Sequence, residues 1–174
     1  MNTDILPYQE LVVFVDTSQN DKKKKALFVA IVEGEGISDI LIPTKSFESS
    51  KPHHNELCGI LKALRHVRKN YDFDSILVVN DCEKNIEVIN EGKRFRGGHN
   101  ASTNEMLLLV RDVMKGFPVR YIHRSETNTD QIYACDRISG MVLNGKQPVH
   151  DTNKAFKQFP FVKQVFSEYR QVFI

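Results

Sequence analysis

Four acidic side chains occupy positions where folding can gather them. Asp16 ends the run at residues 11–18 (LVVFVDTS), in which five apolar residues lead without a break into a carboxylate. Glu56 opens an amphipathic stretch, Asp81 follows the apolar run at 75–79 (SILVV), and Asp136 lies within YACDRISGMV at 133–142. A carboxylate at the end of a buried strand is costly unless a cation compensates it. Clustered carboxylates are tolerable when divalent cations neutralise them, and hard oxygen donors suit Mg²⁺ or Mn²⁺. Two such ions about 4 Å apart activate a water and stabilise the leaving oxygen of a phosphodiester. Taken singly, each residue has a plainer reading: Asp16 a turn cap, Glu56 a first-turn dipole residue, Asp81 an N-cap and Asp136 a helix-surface charge. Taken together, near strand ends where α/β sites form, they predict a metal centre.

The patterning supplies elements to carry them. Residues 26–32 (ALFVAIV) and 37–43 (ISDILIP) follow the first strand through the polar turns SQNDKKKK and EGEG, which predicts an antiparallel meander. A helix is expected over 55–69, with Leu57, Ile60, Leu61, Leu64 and Val67 on one stripe. At about 100° per residue, Glu56 falls about 40° from Ile60, at the edge of that stripe. The run at 75–79 is a fourth strand ending in Asn80-Asp81, followed by a short helix bearing Ile86, Val88 and Ile89. Residues 91–100 (EGKRFRGGHN) form a basic, Gly-rich loop, and Ser102 and Glu105 have capping-box spacing ahead of a helix at 105–115. A fifth strand at 119–123 (VRYIH), a polar loop and a helix at 131–142 carrying Asp136 complete the pattern. A linker is expected at 144–153 and an amphipathic helix at 161–173. The order β-β-β-α-β-α-α-β-α predicts an α/β fold with a mixed five-stranded sheet flanked by helices. Residues 1–142 form the expected domain; 143–174 are the expected linker and a C-terminal helix packed on it.

Composition narrows the function classes. A chain of 174 residues with 41% hydrophobic and 26% charged residues fits one soluble domain with a sizeable core. The net charge of +2 excludes a polycation, so nucleic-acid binding must rest on local patches. Cys58, Cys82 and Cys135 form no CxxC pair and no zinc spacing, which predicts packing roles and a reducing, cytoplasmic compartment. No apolar run approaches the roughly 18 residues of a membrane span, so no membrane partner is expected. A monomer is the expected state.

In motif order as well as composition, the chain resembles the ribonuclease H family. Asp16-Thr17-Ser18 is similar to that family's D-G-S strand end. His53-His54-Asn55-Glu56-Leu57 is similar to its N-x-x-E-L helix opening. Asn80-Asp81-Cys82 is similar to its D-S step after the fourth strand, and Ala134-Cys135-Asp136-Arg137-Ile138-Ser139 to its late A-D or C-D motif. The resemblance covers about residues 10–142 and implies Mg²⁺- or Mn²⁺-dependent endonuclease cleavage of the RNA strand of an RNA–DNA hybrid. It implies that Asp16 bridges two ions, that Glu56 and Asp81 hold the ion beside the leaving group, and that Asp136 completes the other shell. It further implies nucleic-acid contacts from a basic handle at Lys93, Arg94, Phe95 and Arg96, from Asn55, and from His123. Three departures qualify the match. Thr17 stands where Gly is usual, His53 and His54 stand where Asn or Arg is expected, and residues 19–25 replace a glycine-rich turn. A nuclease of the same fold acting on other nucleic-acid structures, and a non-catalytic binding module, are the alternative readings. Lys22–Lys25 reads as a solvated hairpin turn first and as a phosphate contact second.

Overall fold

The computed structural model describes residues 8–127, 130–145 and 160–174. Its first three strands form the expected meander: β1 (Glu10–Asn20), β2 (Lys25–Gly34) and β3 (Ile37–Ile42), paired antiparallel in that order. They are rich in Val, Ile, Leu and Phe, the residues that fit a pleated surface buried on both sides. A two-residue strand β4 (Phe47–Glu48) then pairs with the start of β2. Helix α1 (Pro52–Asn70) leads to β5 (Ser75–Asn80), which pairs parallel with β1. Helices α2 (Glu83–Asn90) and α3 (Ala101–Val113) precede β6 (Val119–His123), which pairs parallel with β5. Helix α4 (Asp130–Leu143), helix α5 (Pro160–Glu168) and strand β7 (Arg170–Phe173) follow.

The sheet order is β6-β5-β1-β2-β3-β7, with β4 beside β2, and helices cover both faces. Odd positions of β1 (Leu11, Val13, Val15) pack toward α1, α2 and α3. Phe14 and the opposite face of β2 and β3 pack on α4 and α5. This alternation places neighbouring residues at the end of β1 on opposite faces. Thr17 accordingly lies against Gly59 of α1, whereas Ser18 meets Ser139 of α4.

Several expectations are corrected. The sheet has seven strands rather than five. β4 is too short to leave a period-2 signal, and β7 lies where the C-terminal helix was expected to continue to 173. That helix ends at Glu168, and Arg170 then meets the buried Asp39 of β3, with its Nε 2.8 Å from Oδ1. The chain then pairs parallel with β3 as a strand. Helix α1 begins at Pro52, a residue type suited to the first helical turn because its missing N–H has no intrahelical partner there. Glu56 is therefore beyond the first turn and is not a dipole residue. The Ser102–Glu105 capping box does not form, since α3 starts at Ala101 after a 3₁₀ turn, Gly98–Asn100. Of the linker expected at 144–153, positions 146–153 lie outside the described residues. No helix among the described residues is long and apolar enough to cross a membrane.

Candidate active site

Strands β1, β5 and β6 are mutually parallel, so their C-terminal ends open on the same edge. β1 does not end at Asp16 but runs four residues further beside β2; Asp16 lies opposite Val29 of β2, two residues past the last residue paired with β5, Phe14. Asp81 follows the last residue of β5, and Glu56 reaches this edge from the second turn of α1. One carboxylate oxygen from each of Asp16, Glu56 and Asp81 lies within 4.8 Å of the others. Asp136 of α4 is exposed and outside that tight set; its Oδ2 is 3.9 Å from the Arg137 guanidinium. It remains close enough to act electrostatically on Asp16.

The three clustered carboxylates have no ion-pair partner among the described residues. Asp16 is 5% exposed. Burial raises its pKa far above the usual carboxylate range, and the charges of Glu56, Asp81 and Asp136 raise it further. Burial also pushes Glu56 up to about 8, with Asp81 adding to it and the Asn80 hydrogen bond pulling the other way. Such a set is unfavourable as three bare anions. All its donors are hard carboxylate oxygens, which fits an Mg²⁺- or Mn²⁺-type cation at this position.

Asn80 holds the cluster together, and the sequence reading assigned it no role. It is fully buried. Its Nδ2 donates to the Val15 carbonyl at 2.8 Å and to Glu56 Oε2 at 3.1 Å, while its Oδ1 accepts from the Cys82 backbone N–H at 3.0 Å. The available signal was an amide ending an otherwise apolar run, SILVVN. His123 has a related bracing role. Its Nε2 lies 3.1 Å from the Asp81 carbonyl, which as an acceptor requires the proton on that nitrogen. Its Nδ1 accepts from the Ser125 backbone N–H at 3.3 Å. Both ring nitrogens are engaged within the chain, so His123 supports the Asp81 turn.

Beside the acidic centre lies a cleft of about 700 Å³, lined by Lys51, His53, Lys93, Arg94, Phe95 and Arg96 among others. His53 stacks on Phe95 with ring centroids 5.3 Å apart, and its Nδ1 is 3.2 Å from Cys82 Sγ. Cys82 is thereby tied both to the cleft and to Asp81. The basic loop is pinned, not free. The Asn104 side chain takes both backbone groups of Phe95, at 2.8 and 3.0 Å. Arg111 donates to the carbonyls of Val88 and Lys93, and Asn100 to that of Arg96. Lys93 is partly neutralised by Glu91 at 2.7 Å, whereas Arg94 and Arg96 form no ion pair among the described residues. The expected contact residue Asn55 lies elsewhere in kind. It is 2% exposed, accepts from the Ser50 N–H and donates to Gln19 and Ser49. Its amide joins α1 to β1 and to Ser49.

No family model matches the sequence, and no curated protein does. Solved structures do match. RNase H1 from the halophilic archaeon Halobacterium salinarum NRC-1 superposes with a TM-score of 0.55 at 11% identity, over 78% of this chain and 98% of that one. The N-terminal RNase H domain of Rv2228c from Mycobacterium tuberculosis gives 0.58 at 12% identity, over 78% and 94%. The fold is ribonuclease H-like. LC11-RNase H1, isolated from compost by a metagenomic approach, agrees with a TM-score of 0.61 at 9% identity, over 78% and 96%. The ribonuclease H-like fold thus brings Asp16, Glu56 and Asp81 together, sets Asp136 at their margin, and places the Lys93–Arg96 loop in an adjoining cleft.

Proposed function

We propose that the chain is a divalent-metal-dependent endonuclease that hydrolyses phosphodiester bonds, with the RNA strand of an RNA–DNA hybrid as first substrate. The observation that carries this reading is the trio Asp16, Glu56 and Asp81, three hard donors within 4.8 Å and without a protein cation. Asp16, Glu56 and Asp81 would hold Mg²⁺ or Mn²⁺, and Asp136 would extend the donor set. A bound divalent ion supplies the positive charge that acidifies a water and steadies a leaving phosphate oxygen. The residues of the chain do the rest. Asn80 fixes Glu56 against β1, His123 braces the turn that presents Asp81, and Arg94 and Arg96 offer phosphate contacts beside the centre. An LC11-RNase H1 structure that holds an RNA/DNA hybrid shares this fold, with a TM-score of 0.52 at 10% identity over 68% of this chain, which supports a duplex in the cleft.

The test is cleavage of a labelled RNA–DNA hybrid in Mg²⁺ or Mn²⁺, beside double-stranded RNA, double-stranded DNA and junction controls, for the natural chain and Asp81→Asn. Metal-dependent cutting of the RNA strand, reduced at least about 100-fold by Asp81→Asn, is the expected result. The burial of Asn55, whose amide is engaged by Gln19 and Ser49, favours a second reading, a nuclease of this fold with other substrates. Cutting of a control duplex or junction in preference to the hybrid would establish it. Absence of both cutting and metal binding would leave a non-catalytic binding module.

A further inference from the structure

The basic tip between β1 and β2 is not part of the acidic centre or of the cleft. Lys22, Lys23, Lys24 and Lys25 are all exposed, and none forms an ion pair among the described residues. Unpaired lysines on a mobile turn would be a solvated end and nothing more. This turn is instead built. The Asn20 Oδ1 accepts from the Lys23 N–H at 3.0 Å, and the Lys24 carbonyl accepts from the Ser49 N–H at 3.0 Å. Lys24 is held at a φ of 50°, a left-handed conformation uncommon for a residue with a side chain. The hairpin below the tip is clamped on both sides. Gln19 accepts from Asn55 of α1 at 2.9 Å, and Asn20 donates to Asn144, just past α4, at 3.3 Å. Those two helices carry Glu56 and Asp136, so the tip has a fixed position relative to the carboxylates.

We propose that Lys22–Lys25 is a second phosphate-binding site, engaging the backbone of a nucleic-acid duplex several base steps from the bond that is cut. This rests on the nuclease reading above and extends its footprint. Four strand residues and the turn residue Asp21 separate Asp16 from Lys22, a span of roughly 17 Å at about 3.4 Å per residue. Duplex phosphates recur about every 3.4 Å along each strand, so the lysines meet phosphates about five base steps from the centre. The segment between carries one further lysine, Lys51, after the acidic Glu48 that lies opposite Lys25. Ser49 touches the tip, and Lys51, two residues on, lines the cleft. A duplex rather than a short single strand is the ligand that spans both ends of this track.

The test compares the full chain with a Lys22→Gln/Lys23→Gln/Lys24→Gln variant, both carrying Asp81→Asn so that binding is read without cutting. The probe is a fluorescein-labelled RNA–DNA hybrid of about 18 base pairs, with a second of about 8. In Mg²⁺ at low salt, the lysine variant is expected to bind the long hybrid at least about 10-fold more weakly, with a log–log salt slope shallower by about 2 to 3. On the short hybrid, which cannot reach the tip from a centred position, the difference shrinks toward one. A Lys→Arg triple variant restores the long-hybrid affinity. Equal binding by wild-type and variant lysines, or an equal loss on both lengths, overturns the second site while leaving the nuclease reading intact. Failure of the natural lysine tip protein to bind any nucleic acid overturns both. Lysine-dependent binding to phosphatidylserine vesicles with no effect on the hybrid assigns the tip to a membrane surface and overturns the proposal.

Discussion

Asn80 and Glu56 show how one contact sets the chemistry of the centre. Removing the Asn80 side chain leaves the Val15 carbonyl without this partner and frees Glu56 Oε2. Asn80→Ala is expected to cost about 2 kcal/mol, a melting-temperature drop of about 4–8 °C for a chain of this size. On the proposed function it is also expected to raise the Mg²⁺ concentration needed for activity, because the Glu56 carboxylate loses its anchor; a thermal melt and an Mg²⁺ titration check the two effects separately. Glu56 itself makes the metal-free protein pH-sensitive. Its pKa is about 8 against an ordinary 4.5, so between those values the folded state holds a proton that the unfolded chain has released. Stability from this group is full below about 4.5 and declines as pH rises toward about 8. Melting the metal-free protein from pH 5 to 8 is expected to show falling stability. Glu56→Gln is expected to flatten the fall and raise the midpoint at pH 8 by the equivalent of about 1–3 kcal/mol, and, on the proposed function, to lose any stabilisation by added Mg²⁺.

At the scale of elements, the close approach of α1 to β1 explains why Thr17 and Gly59 go together. A Cβ on Gly59 would stand 2.3 Å from Thr17 Oγ1 and 3.0 Å from Phe28 Cβ. Gly59→Ala is therefore expected to destabilise by about 1–3 kcal/mol and to push the end of β1, with Asp16, out of line. Pairing it with Thr17→Ala should recover part of the loss, since only the Phe28 contact then remains. A double-mutant cycle on unfolding free energy reads that coupling, and additive effects would refute the contact as its cause. The same crowding gives a physical sense to Thr17 in a position where the resembling motif has glycine: here the neighbouring helix supplies the glycine.

For the whole molecule, the C-terminal strand is held by a buried charge. Asp39 is 3% exposed and receives Arg170 and the Tyr71 hydroxyl, the latter at 2.6 Å. Burial alone would raise its pKa, but the Arg170 and Tyr71 hydrogen bonds outweigh that and hold it below the usual range. The pair thus contributes stability above the unfolded carboxylate value near about 4, lost as pH falls through the lower folded value. Arg170→Gln is expected to lower the melting temperature at pH 7, by less near pH 2, and to loosen β7; acid-unfolding curves and amide exchange at residues 170–173 check it. A mutant as stable as the natural chain at pH 7 would show that β7 is held by its backbone pairing and Val172 alone.

The apolar runs and their ends fixed the meander, β5, β6, α1 and α4 in outline, because a strand or helix buried on one or both faces must show its period in the order of residues. They also marked Asp16 and Asp81, since a carboxylate that follows an apolar run stands out against it, while Glu56 and Asp136 stood out by their motif contexts. What the order of residues does not carry is which distant groups meet. Asn80, Asn55 and His123 are polar residues whose roles depend on partners 24 to 65 positions away for Asn80, 36 for Asn55 with Gln19, and 42 for His123 with Asp81. The seventh strand likewise depends on Asp39 and Arg170, 131 positions apart. Local propensity reads residues 161–173 as one helix; in the fold, residues 170–173 pair instead with β3, where Arg170 stands opposite the buried Asp39, a partner 131 positions away.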